Sequence, residues 1–200
     1  AAPSPDVSSM FRILVERIRK EGLSEADLLE WSIDAVAPAA VRAAVGPDFP
    51  VILRWSQWKQ QDFSARLVSS PAQLEQFLLP LSAAGVDIFH CSTRRFWEPE
   101  FPGSDLNLAG WTRKITGKPA ITVGSVGLNT DFIPAPGETA FRAAEPASLD
   151  ELVRRMAAGE WDLVAVGRAL IANPDWVQLI AAKRATDINA FRVEMLETLA

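Results

Sequence analysis

The sequence predicts an α/β fold, a partial TIM (β/α)8 barrel of about four parallel β/α units preceded by N-terminal helices. Three observations predict it. Four short runs of aliphatic and β-branched residues alternate with segments of helical periodicity, the order expected of a parallel sheet. Two of those runs, Ile121-Thr122-Val123-Gly124-Ser125 and Leu163-Val164-Ala165-Val166-Gly167-Arg168, stop abruptly at glycine. A glycine there lets backbone N–H groups approach an anion, because no side chain stands in the way. Finally, the chain has 200 residues, whereas a complete eight-stranded barrel takes about 250. Four units are half of one.

The elements run in order along the chain. Residues 10–21 place Phe11, Leu14, Val15 and Ile18 on one helical face and stop at Gly22. Ser24-Glu25-Ala26-Asp27 resembles a capping box ahead of Leu28 and Leu29. The alanine-rich stretch through Val45 is split at Pro38 and ended by Gly46-Pro47. Strands are then expected over residues 49–56, 87–92, 119–124 and 162–167. The helices between them are expected over residues 70–85, capped by Ser70 with Pro71 in its first turn, then 107–116 and 148–158. Residues 129–146 read as an irregular loop, and a closing helix begins at 175. The implied division is a helical segment over 1–47, a half-barrel with a phosphate site over 48–185, and a helical tail over 186–200.

Composition narrows the classes of function. The chain is 48% hydrophobic and 22% charged, with a formal net charge of −5. An acidic excess gives no electrostatic reason to expect nucleic acid or an anionic membrane as partner. No apolar stretch approaches the roughly 20 residues that span a bilayer, and residues 1–6 do not begin a secretory signal. The single cysteine, Cys91, excludes an intrachain disulfide and fits a reducing, cytoplasmic compartment. The absence of an initiating Met suggests a processed or partial chain. No spacing of His, Cys and carboxylates resembles a metal site.

Several side chains are placed to carry chemistry. In the first strand, Arg54 shares a face with Ile52 and Ser56, while Leu53 and Trp55 take the other. An arginine in such a strand needs an acceptor. A heterocycle or oxyanion at the strand's carboxyl end would serve, and so would an ion pair with a carboxylate such as Asp87. Arg168, directly after a glycine, offers a permanently charged fork suited to phosphate. His90 and Cys91 are adjacent on a strand and point to opposite faces, which excludes a Cys–His nucleophilic pair. His90 reads as a hydrogen-bonded residue near the barrel mouth and Cys91 as a small buried hydrophobe. Trp58, Phe96 and Trp97 come after the first two strands; they either line a substrate pocket or shield the end of a small core. Arg94-Arg95 reads as solvated or paired with Glu98 and Glu100.

Four segments in order, Val51-Ile52-Leu53-Arg54-Trp55-Ser56-Gln57-Trp58, Val86-Asp87-Ile88-Phe89-His90-Cys91-Ser92 and the two glycine-ended runs, resemble the fifth to eighth strands of the old yellow enzyme family. The segment Ala169-Leu170-Ile171-Ala172-Asn173-Pro174-Asp175-Trp176 resembles the stretch just after that family's last strand. The resemblance covers roughly residues 41–182. It implies an FMN-dependent oxidoreductase, using NAD(P)H as reductant and activated alkenes as small-molecule substrates. Arg54 would face the flavin pyrimidine near N1 and O2; Gly124, Ser125, Gly167 and Arg168 would hold the FMN phosphate.

The departures are equally informative. The family's first half supplies the pair that binds the substrate carbonyl and commonly a tyrosine proton donor. This chain contains no tyrosine, and its one histidine, His90, lies on a strand away from that pair. The catalytic residues therefore stay unknown. A non-catalytic flavin-binding or structural module is the alternative reading. A different phosphate-handling barrel enzyme would need a Lys or Glu base at a strand end, and Lys59 lies beyond it in a loop. A half-barrel also leaves two strand edges open, to be covered by self-association, by a missing N-terminal half or by the helices expected over residues 10–45.

Overall fold

The first element of the computed structural model, α1 (Val36–Val45), begins beside Pro38, where the sequence predicts a second helix to start. Pro38 sits in the helix's first turn, where a missing N–H removes no intrahelical bond. Gly46, at φ +84°, turns the chain out of the helix. The structure describes residues 36–59, 64–132 and 143–198; the helices expected before residue 36 lie outside them.

Four strands come next, β1 (Ile52–Ser56), β2 (Ile88–Ser92), β3 (Ala120–Val123) and β4 (Leu163–Val164). All pair in parallel, in the order β1-β2-β3-β4. The crossovers carry α2 (Pro71–Ala83), α3 (Leu108–Thr116) and α4 (Asp150–Ala157). Local chemistry sets their ends. Ser70 Oγ accepts from the Gln73 N–H at 3.3 Å, with Pro71 opening the helix behind it. Asn107 Oδ1 accepts from the Gly110 N–H at 2.9 Å, and Gly117 closes α3 in the left-handed conformation.

Each strand is shorter than expected, β4 most of all. It pairs through Ile121↔Leu163 and Thr122↔Val164, and the Ala165 N–H then donates to the Thr122 carbonyl at 2.8 Å. Beyond that the chain turns into α5 (Arg168–Ala172), a five-residue helix too short to leave a periodic signature in the sequence. The next helix, α6 (Trp176–Ala181), matches the closing helix expected from residue 175. The final segment, expected to be helical, forms short 3-10 helices, Ala185–Asp187 and Val193–Thr198. It packs inward: Phe191 is fully buried, and its N–H and carbonyl both pair with Ala144.

The two sheet faces differ sharply. Trp55, Phe89, Cys91, Ala120 and Thr122 are buried with Leu74, Leu78 and Leu81 of α2 and Leu108 of α3. The opposite face, the one a closed barrel would turn inward, is open. On it Ile52 is 53% exposed and Leu163 47%. Arg54 stands on the same face, in register with His90.

Candidate functional site

At the carboxyl ends of the strands lies a cleft of about 360 Å³. Alternation of side chains along β1 turns Arg54 toward it, and the chain after that strand brings in Trp58. The ends of β3 and β4 contribute Gly124, Ser125, Gly167 and Arg168. These six residues, separated by more than a hundred positions in sequence, line one cavity. Their neighbours there include Thr93, Arg94, Asp131, Phe132 and Leu196.

The two glycines do different work. Gly124 has φ +130°, and a Cβ there would lie 2.7 Å from the Thr93 carbonyl oxygen and 2.9 Å from backbone atoms of Arg94 and Arg95. Its carbonyl also accepts from the Phe96 N–H at 3.1 Å. Gly124 is therefore required by the close approach of the chain leaving β2. A Cβ at Gly167 would meet nothing within 4 Å. The missing side chain there leaves open space on the cleft wall.

Ser125 adopts φ 51°, rare for a residue with a side chain. Its hydroxyl lies 3.0 Å from the Arg94 carbonyl and 3.1 Å from that of Thr130, so it ties two loops together. Arg168 meets the same knot: Nη2 donates to the Thr130 carbonyl at 2.7 Å and reaches Ser125 Oγ at 3.4 Å. The guanidinium packs against the Phe132 and Phe191 rings, each 5.7 Å away. Its Nη1 is buried without a hydrogen-bond partner. Burial lowers the Arg168 pKa from its ordinary value, an effect that Asp131 partly offsets.

Arg54 is anchored on its own sheet face. Nη1 lies 3.1 Å from His90 Nε2, and Nη2 donates to Ser92 Oγ at 3.2 Å. The alternative partner that the sequence allows, Asp87, is engaged elsewhere: it accepts from Arg42 and from the Val51 N–H. Among the described residues, Asp131, 2% exposed, is the one carboxylate in the lining. Arg94 and Arg95 hold it at 2.7 and 2.8 Å. The cleft therefore carries Arg54, Arg94 and Arg168 against a single acid, in a chain of formal net charge −5. That local excess attracts anions. Among the described residues, the lining contains neither lysine nor glutamate.

Phe96 and Trp97 are not part of this lining. Phe96 is 4% exposed, packed edge-on against Trp161 and Trp97. Two buried polar groups hold that segment down: Asn107 Nδ2 and Arg155 Nη1 both donate to the Phe96 carbonyl, at 2.7 and 3.4 Å. Arg94 and Arg95 pair with Asp131, and Arg95 also pairs with Glu98 as the sequence suggests. Asp131 and Phe132 carry no signal of their place in the sequence, because a long irregular loop offers no spacing from which to put them there. Among the described residues, no three His, Cys, Asp or Glu side chains gather to hold a metal ion. No helix among them is long and apolar enough to cross a membrane.

No protein-family model matches the chain. The NADH oxidase of Thermoanaerobacter brockii is 28% identical over 183 residues, covering 86% of this chain and 24% of that protein. Among solved structures, the old yellow enzyme from Trypanosoma cruzi superposes with a TM-score of 0.51 at 19% identity, over 79% of this chain and 34% of the other. Morphinone reductase in complex with tetrahydroNAD gives 0.53 at 17% identity, over 79% and 35%. The likeness is to the barrel of old yellow enzymes. The chain spans about a quarter of the curated relative and about a third of the solved ones. Its four parallel strands superpose on part of those structures, and at these identities the likeness speaks for the fold alone.

Proposed function

We propose that the cleft is an FMN site and that the chain is part of a flavin oxidoreductase of the old yellow enzyme type. The observation that carries this reading is Arg168 Nη1, a buried donor without a partner at the junction of two glycine-bearing strand ends. A buried donor without an acceptor is costly, and an anion would supply one. The open space at Gly167 gives a phosphate monoester room to do so. These residues fit the tail of FMN. Arg54, on the same cleft, supplies fixed positive charge for the electron-accepting ring.

Bound FMN would supply the redox chemistry, taking hydride from NAD(P)H and delivering it to an activated alkene. The chain's own residues would hold and polarise. Arg168 and the backbone at Gly124–Ser125 and Gly167 fix the phosphate, Arg54 stabilises negative charge on the pyrimidine, and Trp58 walls the cleft beside it.

A second reading is flavin binding without alkene turnover by this chain. It is favoured by the absence of tyrosine and by the engagement of the one histidine with Arg54. Visible absorbance separates the readings. A bound-flavin spectrum that weakens in Arg168→Ala supports the site, and an unchanged free-FMN spectrum in the parent protein rejects it. Anaerobic NADPH then reports turnover: bleaching supports the oxidoreductase, and its absence despite tight FMN binding leaves the binding module.

A further inference from the structure

Arg54 occupies an exposed position of the cleft, on a strand with only one neighbour. A long guanidinium at such a place has several rotamers open to it and loses considerable entropy on being fixed. Two side chains of β2 fix it: His90 Nε2 at 3.1 Å and Ser92 Oγ at 3.2 Å. Ser92 belongs to the cleft lining; His90 does not. The imidazole thus touches the arginine from outside the cleft lining.

We propose that His90 is a positioning residue that aims the Arg54 guanidinium into the cleft by accepting its hydrogen bond at Nε2. The inference rests on the cleft being the flavin site. A guanidinium has donors only, so Nε2 must present its lone pair and Nδ1 must carry the proton. Protonating His90 would set two donors and two positive charges against each other, and Arg54 would swing away. Among the described residues, the groups facing His90 are Arg54 from β1, Ile121 from β3 and Ser92 on its own strand, and Arg54 is the one charge among them. Burial and Arg54 both lower the His90 pKa below its ordinary 6.5, which keeps the acceptor form in place at neutral pH. His90 thereby links the charge offered to a flavin ring to pH.

The test uses the full chain and begins without ligand. His90 is the sole histidine, so its imidazole nitrogens can be read directly by 15N NMR. The expected result is a neutral ring with Nε2 bare, titrating below 6.5 and moving upward in Arg54→Ala. An Nε2-protonated ring, or a titration indifferent to Arg54→Ala, overturns the proposal whether or not flavin binds. FMN is then added to the parent, His90→Phe, His90→Gln and Arg54→Ala proteins, and its dissociation constant and reduction potential are measured across the acidic to mildly basic range. His90→Phe should loosen FMN about tenfold, the scale of one charged hydrogen bond, and shift the potential toward that of Arg54→Ala. His90→Gln, whose amide oxygen can still accept, should keep the parent's values in mild base and lose the decline at low pH. If His90→Phe matches the parent while Arg54→Ala does not, His90 has no positioning role. If the parent binds no FMN, the flavin reading fails, and the NMR titration still decides whether His90 holds Arg54.

Discussion

Gly124 and Thr93 approach so closely that a single methyl group would not fit between them: an added Cβ would sit 2.7 Å from the Thr93 carbonyl oxygen. The contact binds the end of β3 to the chain leaving β2, beside the Phe96 N–H bond to the Gly124 carbonyl. Gly124→Ala must therefore both strain φ +130° and push a backbone aside, with a cost of about 1–3 kcal/mol for the strain alone. Gly167→Ala meets open space, so no neighbour has to move, and it should lower the melting temperature less than Gly124→Ala does. What it should lose is affinity for phosphate, because the methyl occupies the cleft wall. Thermal melts beside phosphate titrations of both variants check the contrast. Equal destabilisation of both would contradict it.

Arg168 supports a related expectation. Its packing on Phe132 and Phe191 is separable from its unpaired Nη1. Arg168→Met keeps much of the apolar contact and removes the charge, so the fold should tolerate it. Inorganic phosphate or sulfate should raise the parent's melting temperature by mass action and do so much less in Arg168→Met. A charge-assisted bond of about 1.5–3 kcal/mol sets the scale. Identical salt responses would show that the anion binds elsewhere.

Legibility from sequence tracks the range of the interactions involved. The helix ends at Ser70, Asn107 and Gly117 are decided within a few residues, so their chemistry can be read locally. The glycine-ended runs mark β3 and β4 for the same reason, and their pairing comes from one crossover between them. Partner choice is a long-range matter. Asp87 is taken by Arg42 through the packing of α1, and Arg54 is held by His90 through the register of β1 on β2. Phe96 shows the same limit. Its aromatic character suits a pocket or a core equally, and the buried Asn107 and Arg155 that draw its backbone inward are far away in sequence.

Cys91 offers a pH-dependent prediction. The thiol is fully buried, its Sγ 3.3 Å from Thr112 Oγ1, and burial pushes its pKa up to about 12 from 9.0. An unfolded chain releases that proton near 9, whereas the native one keeps it. The unfolded state therefore binds fewer protons above pH 9, and stability falls as pH rises from there toward 12. The slope from this group approaches about 1.4 kcal/mol per pH unit. Urea melts at about pH 8 and about pH 10.5 should show the loss, and Cys91→Ala should remove that component. Iodoacetamide should label Cys91 only under denaturing conditions; rapid labelling of the native protein would mean the thiol is accessible.

Asn107 joins three elements with one side chain. Its Oδ1 accepts the Gly110 N–H at the start of α3, while Nδ2 donates to the Phe96 carbonyl at 2.7 Å and to Thr122 Oγ1 at 3.0 Å. The residue is wholly buried. Asn107→Ala would remove the cap and leave buried polar groups without partners, each costing about 1–3 kcal/mol. Asn107→Asp should keep the cap, because a carboxylate still accepts from Gly110. It would lose both donations and set a charge against the Phe96 carbonyl. Alanine should therefore lower stability by several kcal/mol, and aspartate should not rescue it near neutral pH. Because Thr122 lies on β3 two residues before Gly124, the loosening should also reach the cleft and weaken anion binding. Chemical melts of the two variants, paired with phosphate titration, check both expectations. An aspartate variant as stable as the parent at neutral pH would show that the cap alone matters.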